Sequence, residues 1–401
     1  MTLKANTIQV AVIGSGLTGS ACAASLQRSG AQVTLFEKAP TVGGRTATRH
    51  AGWIDARGAK QSVTFYDNAQ YFESASRRCK PAIARAMAAN GIRSWHPRVY
   101  AVWPFGVGQC IVPPAEISSL CTHLIGGAAV HLNRTVRRLQ RAADGSWYVV
   151  SDGSPLAGPF HSVVVALPPA QAAVLLAGHQ DKWADMVLAK HIAPLWTLIA
   201  ITDDVDWPWD AAQPERGPLA WVQRNDRLPE SKMPFGLAVW TAHATAEWSL
   251  AHSEDDPQAV AGELQKALRA QLPKSGRGNQ AIQWHYTNAY SERSSKSSDN
   301  RVGANEVWWD ESLSLGVCGN SLMDGGVAEA WSSGDELAGC MAASFKRSAT
   351  TDYNNAALVI TPRTTLHSPL RNTNLPVATQ QATGMLVPPI QGEAGQFADA
   401  K

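Results

Sequence analysis

The sequence predicts an α/β fold class, with one domain built on a parallel sheet and a second built on a mixed antiparallel sheet. Three observations support this prediction. Residues 8–19 combine an apolar run with a glycine turn and the start of a helix. Residues 32–37 form a second apolar run that ends in an acidic residue. Residues 195–201 and 235–241 alternate as antiparallel strands do when one face borders a pocket.

The first predicted strand runs directly into a glycine turn. β-Branched residues surround Val12, Gly14 and Gly16 permit a sharp turn, and Gly19 lets the following helix lie close to the strand. The first turn of such a helix has backbone N–H groups without intrahelical partners and the positive end of the helix dipole. Because these features suit a pyrophosphate, the pattern predicts a Rossmann-like dinucleotide site.

The second predicted strand supports the same site. Its last residue is followed by Glu37, at roughly the twenty-residue offset where an acidic side chain accepts hydrogen bonds from the adenosine ribose. A carboxylate there favours an unphosphorylated ribose. Gly43, Gly44 and Arg45 then form a second glycine turn followed by a cation that can face phosphate.

These motifs together resemble the FAD-binding signature of the glutathione reductase and flavin amine oxidase group. Segments 67–72, 240–248 and 316–334 are in addition similar to the renalase-like flavoproteins, and the resemblance extends over roughly residues 8 to 347. It implies non-covalently bound FAD in a Rossmann-like domain of the glutathione reductase/amine oxidase type, with a second mixed antiparallel-sheet domain for the substrate.

The resemblance also implies further cofactor contacts. Val136 matches the position whose valine packs against the adenine, and Val327 lies in the helix start beneath the flavin. Gly319 and Asn320 stand where the family has a Gly-Asp pair that contacts the ribitol and the pyrophosphate. Asn320 can still bond a hydroxyl or a phosphate, but it carries no charge.

Three residues are the candidates for catalysis. Gln70 and Tyr71 are expected to approach the flavin ring, and His243 lies in the segment most similar to renalases. The ordinary pKa of histidine is near neutrality, so His243 can hydrogen-bond a substrate or a peroxide intermediate. At two positions where the family has charged residues, this chain has Gly326 and Ala328. Two consequences stay open: a changed flavin potential or a changed substrate.

Two further expectations concern the walls of the pocket. Between the Gly43-Gly44-Arg45 turn and segment 67–72, residues 52–66 make the chain longer than the family pattern. We therefore predict a surface insertion there. The candidates for an aromatic wall around the substrate are Trp248, Trp284, Tyr286 and Trp331, and for each of them alone a core position is the more common role.

The family pattern divides the chain into discontinuous domains, with the flavin ring expected at their interface. We assign 1–75, 115–170 and 295–347 to the FAD-binding domain, 76–114 and 171–294 to the substrate domain, and 348–401 to a polar tail. The apolar patches of this tail could dock on a second copy, so a homodimer is one expectation.

Composition narrows the function classes. The net charge is +2 with both signs interspersed, which favours neither nucleic acid nor an anionic membrane as a partner. The six cysteines show no C-x-x-C and no metal-ligand spacing, so we expect no metal and a reducing cytoplasm. No stretch approaches the ~20 apolar residues of a membrane span, and no apolar leader precedes the first strand.

The renalase resemblance implies that a small donor passes a hydride onto flavin N5 and that the electrons go on to O2 or another acceptor. In that family the donor is an aberrant dihydronicotinamide. Two alternatives stay open: oxidation of a small aromatic or cyclic amine, and a flavin-binding protein without catalytic activity. A dinucleotide donor requires a long groove, whereas an amine favours a closed aromatic cage.

Overall fold

A computed structural model describes most of the first 358 residues. The described residues are 7–44, 49–55, 57–65, 72–73, 84, 88, 92–101, 110–112, 117–189, 193–229, 231, 236–273, 281–294, 307–319, 322 and 327–358. Residues up to Thr351 belong to one compact unit, and Asp352–Leu358 belong to a second unit.

The strands, in chain order, are β1 (Gln9–Ile13), β2 (Gln32–Phe36), β3 (Arg49–Ile54), β4 (Lys60–Phe65), β5 (Phe72–Glu73), β6 (Arg93–Trp95), β7 (Val99–Ala101), β8 (Cys110–Val112), β9 (Ala129–His131), β10 (Val136–Arg141), β11 (Trp147–Ser151), β12 (Ala157–Phe160), β13 (Ser162–Val165), β14 (Ala193–Asp203), β15 (Ala211–Gln213), β16 (Leu219–Arg224), β17 (Leu237–Ala244), β18 (Trp284–Ser294), β19 (Val307–Asp310) and β20 (Leu315–Cys318). The helices are α1 (Leu17–Arg28), α2 (Ile117–Ile125), α3 (Pro169–Leu176), α4 (Asp181–Leu188), α5 (Ala246–Ala251), α6 (Pro257–Gln271) and α7 (Val327–Leu358), and a short 3-10 turn covers Asn225–Arg227.

A six-stranded sheet forms the first layer, in the order β19, β20, β13, β1, β2, β9. Neighbouring strands run parallel except at the β19 edge. Helices α1 and α7 cover one face through Leu26 and Leu337, and Trp147, Phe160 and Leu176 pack on the other. The predicted Rossmann-like α/β fold is confirmed, because the β1-turn-α1 unit lies at the centre of this sheet.

The second six-stranded sheet has the order β18, β14, β17, β16, β15, β7 and is antiparallel apart from the β15–β7 pair. Side chains alternate between its two faces. Leu198 and Trp240 point to the face covered by α6, where they pack with Leu264. This sheet confirms the predicted mixed antiparallel layer, while the predicted domain boundaries stay a prediction.

The hairpin formed by β3 and β4 covers part of the opposite face. Its Ala51 and Val63 are buried against Ile199, Ile201 and Val239 of the second sheet. The insertion predicted at 52–66 lies at the surface, with Gly52, Ile54 and 57–60 exposed, while Val63 faces the second sheet. Apolar residues at 51 and 63 find an apolar sheet face, and burial there removes both from water.

Two small sheets complete the described part of the fold. Strands β10, β11 and β12 form one, and β5, β8 and β6 form the other. The Asp-Gly turn before Trp147 joins β10 to β11 in a hairpin. None of the described helices combines the length and the apolar content that a membrane crossing requires.

Candidate active site

Three of the predicted cofactor-binding residues lie at one edge of the parallel sheet. Gly14 follows β1, Glu37 follows β2 and Gly319 follows β20. These strands run parallel to one another through β13, so their carboxyl ends meet at the same edge. This is the edge at which open α/β sheets bind ligands.

The glycine turn after β1 and the start of α1 leave no room for a side chain at Gly14 or at Gly19. Gly14 has a φ of +101°, and a Cβ atom added there would lie 2.6 Å from the carbonyl oxygen of Ala166. At Gly19 an added Cβ would lie 1.9 Å from the carbonyl oxygen of Gly14. Helix α1 begins at Leu17 with Gly16 as its N-cap, and no described side chain makes an N-cap hydrogen bond there. The backbone N–H groups of this first turn are therefore placed to bind an anion.

The Glu37 carboxylate is held in place by the glycine turn. Its Oε2 atom accepts hydrogen bonds from the backbone N–H and from the hydroxyl of Ser15, both at 2.9 Å. Its Oε1 atom accepts from the backbone N–H of Ala39 at 2.9 Å. The side chain is only 5% exposed, so these bonds fix its position at the end of β2.

The second glycine turn packs directly on the first. The N–H group of Gly43 donates to the carbonyl oxygen of Ser15 at 3.0 Å, and Gly43 forms a parallel bridge with Gly16. Gly44 has a φ of +56°, and a Cβ added there would lie 3.2 Å from the Cα atom of Gly16. The two turns thus present one continuous backbone surface without side chains between them.

The other side of the cofactor edge is built by α7. Gly319 has a φ of +140°, and its N–H group donates to the Oγ atom of the fully buried Ser333 at 3.0 Å. Val327, the first residue of α7, packs with Leu17 of α1 in one buried cluster. The first turns of α1 and α7 are therefore neighbours.

Val136 opens β10 opposite Ser151 and is half-buried. It packs against the cluster that contains Phe36 and Phe160. This places it near the strand that precedes Glu37, and its contact with the adenine stays a prediction.

The candidate catalytic residue His243 belongs to a line of side chains that crosses the second sheet. Tyr290, Thr197, His243 and Trp221 are register partners on β18, β14, β17 and β16. We call these four residues the polar row. They lie on the face opposite α6, because their neighbours along the strands pack in the α6 core.

Hydrogen bonds order two separate parts of the polar row. Oγ1 of Thr197 lies 3.2 Å from Nδ1 of His243. The hydroxyl of Tyr290 lies 3.0 Å from that of Tyr286, and Nδ2 of Asn288 donates to both hydroxyls. The row therefore combines hydrogen-bonding groups with aromatic rings and contains no carboxylate.

The β3–β4 hairpin connects the cofactor edge to the polar row. Strand β3 begins five residues after Gly44, and the hairpin packs on Ile199, two residues along β14 from Thr197. The second glycine turn is thus only a few residues from a hairpin that packs on the same sheet face as His243.

Four of the predicted site residues lie outside the described residues: Arg45, Gln70, Tyr71 and Asn320. Of the aromatic-wall candidates, Tyr286 lies on the face of the polar row. Trp248 and Trp284 pack against the α6 core on the opposite face, and Trp331 is buried beside Leu17. Trp248 and Trp284 are therefore core residues, and the aromatic wall stays a prediction.

Sequence reasoning missed the partners of these residues. Thr197, Trp221 and Tyr290 come from three strands, so only the strand register brings them to His243. Ser333 could have been suspected from the Ser-Ser-Gly segment after Trp331, since a buried hydroxyl needs a partner.

The residues at the cofactor edge fit the pyrophosphate and ribose of FAD. An added Cβ at Gly14 or Gly19 would strike backbone atoms, so the cradle depends on glycine, and the helix start offers N–H donors. Glu37 is the buried acceptor in the position that meets the ribose hydroxyls.

Comparisons with known families match both layers of this fold. Residues 12–85 match the model of an NAD(P)-binding Rossmann-like domain. Residues 55–341 match the model of the flavin containing amine oxidoreductases.

A curated relative is the tRNA 5-methylaminomethyl-2-thiouridine biosynthesis bifunctional protein MnmC of Magnetococcus marinus, with 23% identity over 290 residues. The match covers 55% of this chain and 43% of that protein, so the chain spans less than half the length of this relative.

Solved structures show the same fold at low identity. The cyclohexylamine oxidase from Brevibacterium oxydans has a TM-score of 0.61 and 12% identity over 85% of this chain and 100% of its own. A redesigned putrescine oxidase has a TM-score of 0.56 and 13% identity, covering 84% and 99%. A reduced UDP-galactopyranose mutase has a TM-score of 0.54 and 9% identity, covering 72% and 83%. At such identities the likeness describes the fold alone.

Proposed function

The chain belongs to the flavin-containing amine oxidoreductases and is an FAD-dependent oxidoreductase, and from this premise we propose that its donor is an aberrant dihydronicotinamide. The products are the aromatic nicotinamide and hydrogen peroxide, as the renalase resemblance implies. FAD, when bound, takes two electrons from the donor and passes them to O2, which with two protons becomes hydrogen peroxide.

The polar row is the observation that supports this donor. None of its four side chains carries a carboxylate, and the pair Thr197–His243 offers hydrogen-bonding groups. A dihydronicotinamide ring is flat and uncharged, so it needs a face of this kind rather than a counter-ion. The row crosses four strands, about 14 Å at the usual strand spacing, which accommodates a donor larger than a single ring.

The same row is less suited to a protonated amine. An aromatic cage places rings within about 6 Å of one cation. The backbones of Tyr290 and Trp221 stand three strand spacings apart, about 14 Å, so this pair does not form such a cage. The amine oxidases among the structural neighbours nevertheless make a small aromatic or cyclic amine the second candidate.

In this proposal the residues of the chain position and stabilise the reactants. The glycine turns and Glu37 hold the dinucleotide, and Thr197 orients His243 towards the donor. Gln70 and Tyr71 are proposed to approach the flavin ring, and Arg45 to face the phosphates. Asn320 is proposed to bond the ribitol or the pyrophosphate, and Val136 and Val327 to pack on the bound cofactor.

Anaerobic flavin reduction tests the proposal. The purified holoenzyme is mixed in turn with 2- and 6-dihydronicotinamide mononucleotides and with a panel of aromatic and cyclic amines. We expect the visible absorbance band of the oxidised flavin to bleach with a dihydronicotinamide and not with the amines. Bleaching by an amine alone would replace the proposed donor with the second candidate.

Location and assembly are proposed separately. We propose a cytoplasmic enzyme, to be tested by fractionating cells of the source organism. We propose a homodimer, and a mass equal to one chain in light scattering of the full-length protein would contradict it.

A further inference from the structure

Strand β9, at one edge of the parallel sheet, ends beside Glu37 in a histidine that the proposed function does not use. His131 is the last residue of β9 and the register partner of Phe36 on the parallel strand β2. The backbone N–H group of Glu37 donates to the carbonyl oxygen of His131 at 2.9 Å. His131 therefore lies at the same carboxyl edge of the sheet as the predicted cofactor-binding residues.

The ring of His131 covers a core residue and still has accessible surface. It stacks on the ring of Phe36, with the ring centroids 5.2 Å apart and an angle of 25° between the planes. Phe36 is only 4% exposed, whereas His131 is exposed. A buried ring thus supports an exposed one, and an exposed aromatic ring held in this way can receive a flat group.

The turn after β9 is bonded to the segment that follows β2. The N–H group of Arg134 donates to the carbonyl oxygen of Glu37 at 2.8 Å, and that of Asn133 donates to the carbonyl oxygen of Ala39 at 3.0 Å. Asn133 has a φ of +54°, a conformation that asparagine adopts more readily than most residues. These bonds fix the position of His131 relative to the Glu37 carboxylate.

The order of the strands gives the path of a dinucleotide along this edge. Gly319 follows β20, Gly14 follows β1 and Glu37 follows β2. A pyrophosphate at the first glycine turn and a ribose at Glu37 therefore occupy neighbouring strand ends. The next strand in the same direction is β9, about 4.8 Å further along the edge. The group that follows the ribose is thus directed towards His131.

The chemistry of FAD identifies that group. The ribose hydroxyl that an acidic residue binds is on C2′, and the neighbouring carbon, C1′, carries the adenine. The other end of this ribose leads back to the pyrophosphate, so only the base can extend beyond Glu37. We propose that His131 contacts the adenine of FAD and that its ring stacks on the purine. This inference concerns the cofactor and does not depend on which donor the enzyme oxidises.

Titration of the apoprotein with three ligands tests the contact. FAD and ADP both carry the adenine, whereas FMN carries the flavin without it. Stacking of a base on an aromatic side chain contributes enough that its removal weakens binding about fivefold or more. We therefore expect His131→Ala to raise the dissociation constants of FAD and ADP at least about fivefold and to leave that of FMN unchanged, measured by isothermal titration.

Two further variants separate stacking from the cover over Phe36. His131→Leu keeps an apolar side chain over Phe36 but removes the aromatic ring, so we expect it to weaken the binding of FAD and ADP as well. His131→Phe keeps a ring and should bind both ligands within about twofold of the wild type. His123→Ala, at an exposed histidine of α2, is the matched control and should bind as the wild type does. The melting temperature of each apoprotein shows whether it is folded.

The outcomes separate the adenine contact from other roles of His131. A loss of FAD and ADP affinity in His131→Ala and His131→Leu that His131→Phe restores supports the contact. Unchanged dissociation constants in the first two variants overturn it, and so does an equal loss for FMN, which would indicate damage to the whole site. Failure of every dihydronicotinamide to reduce the flavin would overturn the proposed function and leave this contact standing.

Discussion

Oγ1 of Thr197 lies 3.2 Å from Nδ1 of His243, and this contact joins strands β14 and β17 of the antiparallel sheet on the face away from α6. Thr197 is only 1% exposed, whereas His243 is half-buried. The buried threonine therefore orients the ring of a histidine that is partly exposed. Such a fixed ring is what a binding site requires of a hydrogen-bonding group.

Removing the threonine hydroxyl tests this positioning. Thr197→Val keeps the volume and deletes the bond to His243, so we expect anaerobic flavin reduction to slow by about two- to tenfold, with FAD content unchanged. Stopped-flow absorbance measures the rate. Thr287→Val, on the α6 face of β18, is the control and should react at the wild-type rate. A Thr197→Val enzyme as fast as wild type would show that the bond has no role in turnover.

A methyl group at Gly19 should disrupt the cofactor cradle. The added Cβ would lie 1.9 Å from the Gly14 carbonyl oxygen, so α1 must move away from β1. We expect Gly19→Ala to be purified with little or no FAD, measured by the ratio of flavin to protein absorbance. Gly262→Ala in α6, where nothing lies within 4 Å of the added Cβ, should retain FAD and gain about 0.5 to 1 kcal/mol of unfolding free energy. Full FAD content in Gly19→Ala would contradict the cradle geometry.

Variants of Glu37 and Ser15 distinguish the proposed contact of Glu37 with the ribose from its hydrogen bond to Ser15. Glu37→Gln removes the charge and one acceptor oxygen, so we expect the dissociation constant of FAD to rise about tenfold or more. Ser15→Ala removes only the hydroxyl bond to Oε2 and leaves the backbone N–H bond, so its effect should be several times smaller. Isothermal titration of the apoprotein with FAD measures both constants. Equal losses in the two variants would mean that Glu37 acts only through Ser15.

The buried Asp210 should make the free energy of unfolding depend on pH in the acidic range. Burial raises the pKa of this carboxyl group. Hydrogen bonds from Arg98 and the charges of Arg98 and Arg227 lower it by more, so the net pKa is below its ordinary value. The folded state thus favours the ionised form, and the stabilisation is present above the unfolded pKa of about 3.9 and lost as the pH falls through the folded pKa.

We therefore expect Asp210→Asn to lose about 1 to 3 kcal/mol of unfolding free energy at pH 7, with a smaller loss near pH 3. Thermal unfolding at the two pH values provides the measurement. The exposed Asp185 on α4 supplies the control, since Asp185→Asn should change little at either pH. A deficit in Asp210→Asn that is the same at both pH values would argue against the ionic origin.

Sequence patterns predicted the features that depend on neighbouring residues. The turn from Gly14 to Gly19 is local, because steric limits at glycine and the helix start act within a few residues. Alternation within β14 and β17 is also local and identified the antiparallel sheet.

The missed features depend on contacts between distant segments. Tyr290 meets Thr197 through a strand register that no pattern in either strand reveals, because a shift of two residues preserves the alternation. In the sequence, Ala51 has no feature that predicts its burial. It is buried because the hairpin packs on Ile199 of a distant strand. Trp284 was equally compatible with either face of its strand, and the structure places it against the α6 core.

The short connection between Gly44 and Arg49 limits how far the hairpin can lie from the second glycine turn. Five peptide steps limit the separation of the second glycine turn and the hairpin to about 18 Å, whatever path the chain takes. A longer connection would relax this limit, and a shorter one would tighten it. Homologues that bind a larger donor on this sheet are therefore expected to differ at the tip of the hairpin, around Ile54, and to keep the length of the connection.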